Sequence, residues 1–480
     1  MNHSLTAKTL APAAQRLLEL SATKIRRIQK TWSPDHGTPV FTVKGRYTSR
    51  GWTEWTQGFQ FGSEILQFDA TGEREFLVLG RKSTVERMAS HASHIGVHDH
   101  GFNNVSTYGN LWRLMREGRI PSNEWELNFY EFALKISGAV QAARWTQLTP
   151  ELGYVYSFNG PHSLFSDTIR SMRSLALSHL LGHRLMGEND VSINLLGRLL
   201  QHAETTARYN VYFGEDRDRY DVRGRVAHES IFNLNDGSYR CPSTQQGYSP
   251  FSTWTRGLAW IILGYAEQLE FLSSLPDSEF VQERGRPRPR ESAATRTSFP
   301  SDEDVRAPFI RRFEQVASAC CDFWIEQMPT DGVSYWDTDA PGLAKLGDWA
   351  GRAADPFNEH EPVDSSAAVI AAQGLIRYGN YLNSTRRRKA GKRYYQAGLT
   401  VASHLFQEPY LSTDPKHQGL ILHSIYHRPK GWDYIPPGRS IPCGESSMWG
   451  DYHARELGLM ILREAKAMPY FCFFATTPKT

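Results

Sequence analysis

Apolar residues recur at helical spacing along almost the whole of this 480-residue chain, which divides it into about twelve helical segments. They fall near 11–31, 53–68, 73–93, 104–117, 122–146, 164–185, 191–209, 252–274, 304–328, 364–380, 385–407 and 446–466. Every even-numbered segment begins with a polar or aromatic signature. GWTEWTQGF opens the second, HDHGFNN leads into the fourth and FSDTIRS opens the sixth. STWTRGLAW, PVDSSAA and SSMWGDYH open the eighth, tenth and twelfth. The odd-numbered segments begin blandly. Helices that alternate outside and inside, with all inner ones starting at one rim, would bring the six signatures around one pocket. The expectation is an all-α (α/α)6 toroid, one domain over residues 1–480. Its converging helix N-termini would suit an anionic ligand.

Strand-type alternation is scarce. Val211-Tyr212-Phe213 is one candidate. SIFNLNDGSYR is the other, a hairpin turning at Asp236-Gly237. The Pro-, Arg- and Ser-rich stretch 283–304 reads as a flexible surface insertion, because helical patterning resumes unchanged beyond it. The apolar tail YFCFFATTPKT is too short to span a membrane and is expected to pack against the body.

A net charge of +3 gives no field that favours nucleic acid or an anionic membrane. Five cysteines with no C-x-x-C pair argue against a disulfide framework and a cysteine-built zinc site. With no basic segment followed by an apolar run at the start, and no apolar stretch of membrane-spanning length, the chain reads as soluble and most simply cytoplasmic. Oligomeric state leaves no sequence signal. The 13 Trp and 21 Tyr can line a core, but they also stack on sugar faces.

HDHGFNNVSTYG, His98 to Gly109, carries two opposed readings. His-Asp-His is good metal-ligand chemistry, yet adjacent residues rarely point at one ion and no third spaced ligand stands out. Phe102, Asn103, Asn104 and Tyr108 are the stacking and hydrogen-bonding groups of a carbohydrate site. An aspartate near a helix start, such as Asp167, is also an ordinary N-cap, and Asp99 also reads as a turn aspartate.

The ordered set WTQGF, HDHGF, SDTI, HAETT, QGYSPFSTWTRGLAW, DSSAA and WGDY resembles the unsaturated glucuronyl hydrolases of glycoside hydrolase family 88, and more distantly family 105, over about residues 50–465. The resemblance implies an (α/α)6 barrel that needs no metal or organic cofactor. It implies removal of a 4,5-unsaturated uronic acid from the non-reducing end of oligosaccharides made by polysaccharide lyases. The C4=C5 double bond is hydrated, and the hemiketal then opens to release the sugar behind it. Asp167 matches the acid/base, which would need a pKa raised towards the working pH. Asp99 matches the second essential aspartate. His228, Gln246 and Arg256 match substrate-binding residues, Arg256 offering a planar fork to a carboxylate. Trp55, Trp254 and Trp260 match the aromatic walls. His202 reads as packing, and Asp364, Trp449 and Asp451 as structural.

The chain departs from that pattern at Ile169-Arg170-Ser171, at His100 and Asn103-Asn104, and in the charged loop FGEDRDRYDVRGRVAHES. Arg170, His100 and Asn103 are therefore candidate specificity residues, and Arg170 could bind a second anion or depress Asp167. The alternatives are a β-glucuronidase acting on saturated glucuronides through two carboxyls that flank the scissile bond, a metal-dependent enzyme built on His98-Asp99-His100, and a catalytically inactive sugar-binding module.

Overall fold

A computed structural model describes residues 4–50, 54–284 and 306–474. All twelve expected helices are present. They are α1 (Ala7–Thr31), α2 (Gln57–Thr71), α3 (Arg74–Arg87), α4 (100–116), α5 (Glu124–Ala143), α6 (168–180), α7 (Leu195–Tyr209), α8 (Thr255–Ser274), α9 (Ala307–Gln327), α10 (Ser365–Ser384), α11 (Arg388–Leu405) and α12 (Met448–Ala465). Helix α4 is interrupted by a π turn at Val105–Gly109, and α6 is broken at Met172.

The even-numbered helices form the inner ring of an (α/α)6 toroid. Each packs on the next, from α2 through α4, α6, α8 and α10 to α12, and α12 closes back on α2. The odd-numbered helices lie outside, for example α1 on α12, α3 on α2 and α11 on α10. The inner helices are buried almost all round: α8 and α12 each expose hardly a residue, as a helix enclosed on all sides must. One hydrophobic cluster runs from Ala7 to Phe474.

The signature glycines let the inner helices approach closely. A Cβ on Gly58 of α2 would lie 2.4 Å from the Asn103 Cα, and one on Gly101 of α4 would lie 2.4 Å from the Ser171 carbonyl oxygen. The glycines of WTQGF and HDHGF thus set the spacing of α2, α4 and α6.

Strand structure is confined to short hairpins between helices. The predicted Asp236-Gly237 hairpin is present, with Glu229–Phe232 paired to Tyr239–Ser243 and Ser163–Phe165 on its other edge. Val211 makes only an isolated bridge to Val226. Two further hairpins, at 41–48 with a turn at Lys44-Gly45 and at 145–155, were not among the expected strands. The expected insertion at 283–304 lies, from 285 on, outside the described residues. The described part of the tail, to Phe474, packs as expected: Phe471, Phe473 and Phe474 are buried, with Phe471 under the Arg113 guanidinium at 4.4 Å.

Candidate active site

The N-terminal ends of the inner helices surround an open pocket. Trp55 precedes α2, His98 and Asp99 precede α4, Asp167 precedes α6, and Trp254 with Arg256 begins α8. The starts of α10 and α12 stand one layer behind. Asp364 caps α10 and binds Arg256 at 2.6 Å, while Trp449 stacks on Trp55 at 5.1 Å. Six sequence signatures therefore do meet at one rim.

Asp99 and Asp167 occupy N-cap positions, yet neither side chain caps its helix. Both carboxyls turn into the pocket and meet at His98. The His98 Nε2 lies 3.3 Å from Asp167 Oδ1 and 3.7 Å from Asp99 Oδ1. The imidazole stands between Phe158, stacked at 6.1 Å, and Phe165, edge-on at 5.6 Å.

This arrangement separates the two carboxyls. Burial raises Asp99 and the neighbouring Asp167 charge raises it further, and His98, Arg144 and His94 do not cancel that rise. Burial pushes Asp167 up too. The hydrogen bond and charge of His98, with His228 and Arg256, overcome this and hold it below the usual carboxylate range. Burial lowers His98, but the two aspartates raise it above its ordinary value. The two carboxyls are thus displaced in opposite directions, Asp99 towards the protonated form and Asp167 towards the ionised one. The expectation of a raised Asp167 is thereby corrected, and the depressing group is His98, not Arg170.

Trp254 and Trp260 line the pocket with Trp55, and Gln246 lies beside them. Arg256 is there as well, but its fork is occupied. Its two terminal nitrogens donate to Asp364, to Gln246 Oε1 at 2.7 Å, and to the carbonyls of Ile425 and Tyr426. It brings positive charge to the wall while pinning the rim, and its fork is not open to a ligand. His228 stands just behind, packed on Phe165 and Trp254 at 4.6 and 4.5 Å. Its Nδ1 faces the Gln245 N–H and the Thr244 hydroxyl, and its Nε2 is buried without a partner among the described residues. Burial holds it near 4, so it is neutral.

Three candidate specificity residues face elsewhere. Arg170 points into the centre of the ring, fully buried, with its guanidinium 2.7 Å from Glu267 and 3.5 Å from Glu456. It sits on the side of α6 away from the pocket and neutralises carboxylates of α8 and α12. His100 bonds to the His94 carbonyl at 2.8 Å and to Ser137 at 3.1 Å, and burial holds it near 4. It anchors the loop before α4 to α5. Asn103 Oδ1 accepts the Gly58 N–H at 2.9 Å and its amide meets His91, which ties α2 to α4. The ring of His100 is thus committed away from Asp99, which removes the geometric basis of a His-Asp-His metal centre. Among the described residues no three His, Cys, Asp or Glu side chains are grouped to hold a metal ion.

The pocket also contains residues that sequence reasoning left out. His98 was legible only as a possible metal ligand. Phe158 lies in a loop after α5, and Tyr426, His427, Lys430 and Trp432 lie in the loop before α12. No helix start or periodicity marks these loop positions. Lys430 is exposed at the mouth, with its ammonium 4.9 Å from the Trp432 ring and no carboxylate partner among the described residues.

A ring of six inner helices with paired aspartates, indole walls and cationic groups at one rim defines the class of six-hairpin toroids with a pocket suited to an anionic sugar. No protein-family profile matches the chain. It is similar, at low identity, to proteins named unsaturated glucuronyl hydrolase, among them that of Formosa agariphila, with 24% identity over 84% of this chain and 78% of the relative. The unsaturated chondroitin disaccharide hydrolase of Streptococcus pyogenes is 22% identical over 93% of this chain and 90% of its own length. Among solved structures, an unsaturated glucuronyl hydrolase specific for heparin superposes with a TM-score of 0.67 at 17% identity, covering 97% of this chain and 100% of the other. One from Streptococcus agalactiae does so with a TM-score of 0.65 at 18% identity, covering 95% and 93%. The motif resemblance is borne out as a distant relationship, and the toroid as the shared fold.

Proposed function

We propose that this chain is a glycoside hydrolase that removes a non-reducing-end 4,5-unsaturated uronic acid from lyase-made oligosaccharides. The observation that carries the reading is the Asp99–His98–Asp167 cluster at the pocket floor, where two buried carboxyls face one imidazole nitrogen at 3.7 and 3.3 Å and their ionisations are shifted in opposite directions. Hydration of a C4=C5 double bond needs one proton delivered to C4 and one taken from the water that attacks C5. A pair that holds a single proton supplies both, and the pair's charge state is restored at the end of the step. The resemblance assigns Asp167 to the reacting carbons and Asp99 to the supporting carboxyl, so the pair's proton has to stand on Asp167 when it is delivered to C4.

The walls fit the rest of the substrate. Trp55, Trp254 and Trp260 offer faces for sugar rings. Arg256 and Lys430 give a positive field for the uronate, and the unpartnered His228 Nε2–H and Gln246 supply hydrogen bonds. Relatives named for unsaturated uronides, and a Streptococcus agalactiae structure complexed with dGlcA-GalNAc6S, support this reading over one based on saturated glucuronides. The test is a lyase-made unsaturated disaccharide. Ultraviolet absorbance of the double bond falls as the second sugar appears, and Asp167→Asn abolishes both. An Asp167→Asn enzyme with full activity would refute the assignment.

A further inference from the structure

His98 is the one imidazole of the pocket that touches both carboxyls, and it does so through a single atom. Nε2 carries a hydrogen in the cation and in the neutral tautomer that the contacts require, so it donates in either state. Nδ1 is buried and makes no hydrogen bond among the described residues. That tautomer therefore leaves a lone pair without a donor, and the other one would set a lone pair against two carboxylates. Flanking by Phe158 and Phe165 fixes the ring plane. Each aspartate presents Oδ1 to His98, and neither has another side-chain hydrogen bond within the protein among the described residues. The second oxygen of each is left for the pocket.

We propose that His98 is a positioning residue for the reaction: one Nε2–H, hydrogen-bonded to Asp167 and in ion-pair range of Asp99, turns both carboxyls towards the substrate and couples them to each other. Two carboxyls this close to one donor are coupled, and their apparent ionisations belong to the pair. Other charged and titratable groups face the cluster from every side. Arg144 follows α5, His94 lies in the same loop, His202 is on α7, His228 follows the 213–225 loop, Arg256 is on α8 and Tyr426 precedes α12. Among the described residues none of these pairs with either aspartate, whereas His98 hydrogen-bonds Asp167 at 3.3 Å and stands 3.7 Å from Asp99.

The proposal rests on the reading of the pocket as a uronide hydrolase site, but one of its tests does not. In the unliganded enzyme, the protonated-carboxyl infrared band can be followed through a pH titration of wild type, Asp99→Asn, His98→Gln and His98→Ala. Loss of the donor removes stabilisation of the ionised member, so the pair's band persists to higher pH in His98→Ala and less so in His98→Gln, whose amide retains a donor. On the unsaturated disaccharide, His98→Ala is expected to lower kcat roughly 100-fold, within the range for positioned acid–base groups, with KM changed little and the acid limb of the pH profile moved upward. His98→Gln recovers part of both. An infrared titration and a pH profile that do not move in His98→Ala would overturn the proposal, whatever the loss of rate, because a merely structural histidine would give that result. If wild type fails to turn over the disaccharide while the band still moves, the functional reading fails and the role of His98 in the pair stands.

Discussion

Asp99 and Asp167 stand at helix starts where an aspartate would ordinarily cap, and both forgo the cap. Asp364 shows the contrast: its carboxylate accepts the Ser366 and Ala367 N–H groups and is structural. Activity should follow a bell-shaped pH profile. It falls as pH drops through the depressed Asp167 value, because the ionised member gains a proton. It falls again as pH rises through the elevated Asp99 value, because the pair loses its proton. Steady-state kinetics across pH check this, and a profile with no acid limb would count against an ionised Asp167. Arg170 belongs to a different account. Arg170→Met leaves buried Glu456 without its ion-pair partner and Glu267 with only the more distant Arg173 and Arg377, at 3.9 and 4.0 Å, a loss of about 3–5 kcal/mol. Denaturant unfolding should show that loss, while KM of the folded fraction stays near wild type. A raised KM at full stability would restore Arg170 as a substrate contact.

The helices explain why some site residues were legible and others were not. Six helix starts with chemical signatures revealed the rim, and the motif resemblance singled out Trp55, Asp99, Asp167, Trp254 and Arg256 on it. Within one turn of a start, however, sequence does not say which way a side chain faces. Asp167 turns into the pocket, while Arg170, three residues on, turns into the ring. His100 and Asn103 are spent in the same way, on α5 and α2. The loop that carries His427, Lys430 and Trp432 follows no periodicity and was missed. Element packing carries its own predictions. Gly58→Ala places a Cβ against the Asn103 backbone and should cost about 1–3 kcal/mol, read as a lower Tm. Glu64 of α2 is buried against Gln29 of α1 at 2.6 Å, and burial raises it to about 8. A carboxyl raised on folding favours the folded state at low pH and loses that contribution as pH climbs from its ordinary value towards 8. Glu64→Gln should therefore flatten the fall in Tm between mildly acidic and mildly alkaline pH, and an unchanged slope would show that Glu64 does not titrate there.

At the scale of the whole molecule, the toroid has a chemical end and a closed end. Helix starts gather the pocket at one. At the other, Asp69, Arg113, Arg463 and Glu117 form a buried charge cluster, with Arg113 and Arg463 each 2.7 Å from Asp69. Phe471 covers the Arg113 and Arg463 guanidiniums. Phe471→Ala should cost about 3–5 kcal/mol in denaturant unfolding and leave kcat of the folded enzyme unchanged, because none of the described tail residues lines the pocket. The central claim concerns the pocket end, and one side-by-side assay tests it most directly. The same disaccharide is offered with a 4,5-unsaturated and with a saturated terminal uronic acid. The account predicts sugar release from the unsaturated form, in step with loss of its double-bond absorbance, and none from the saturated one. Turnover of the saturated glucuronide with the unsaturated one left untouched would contradict it.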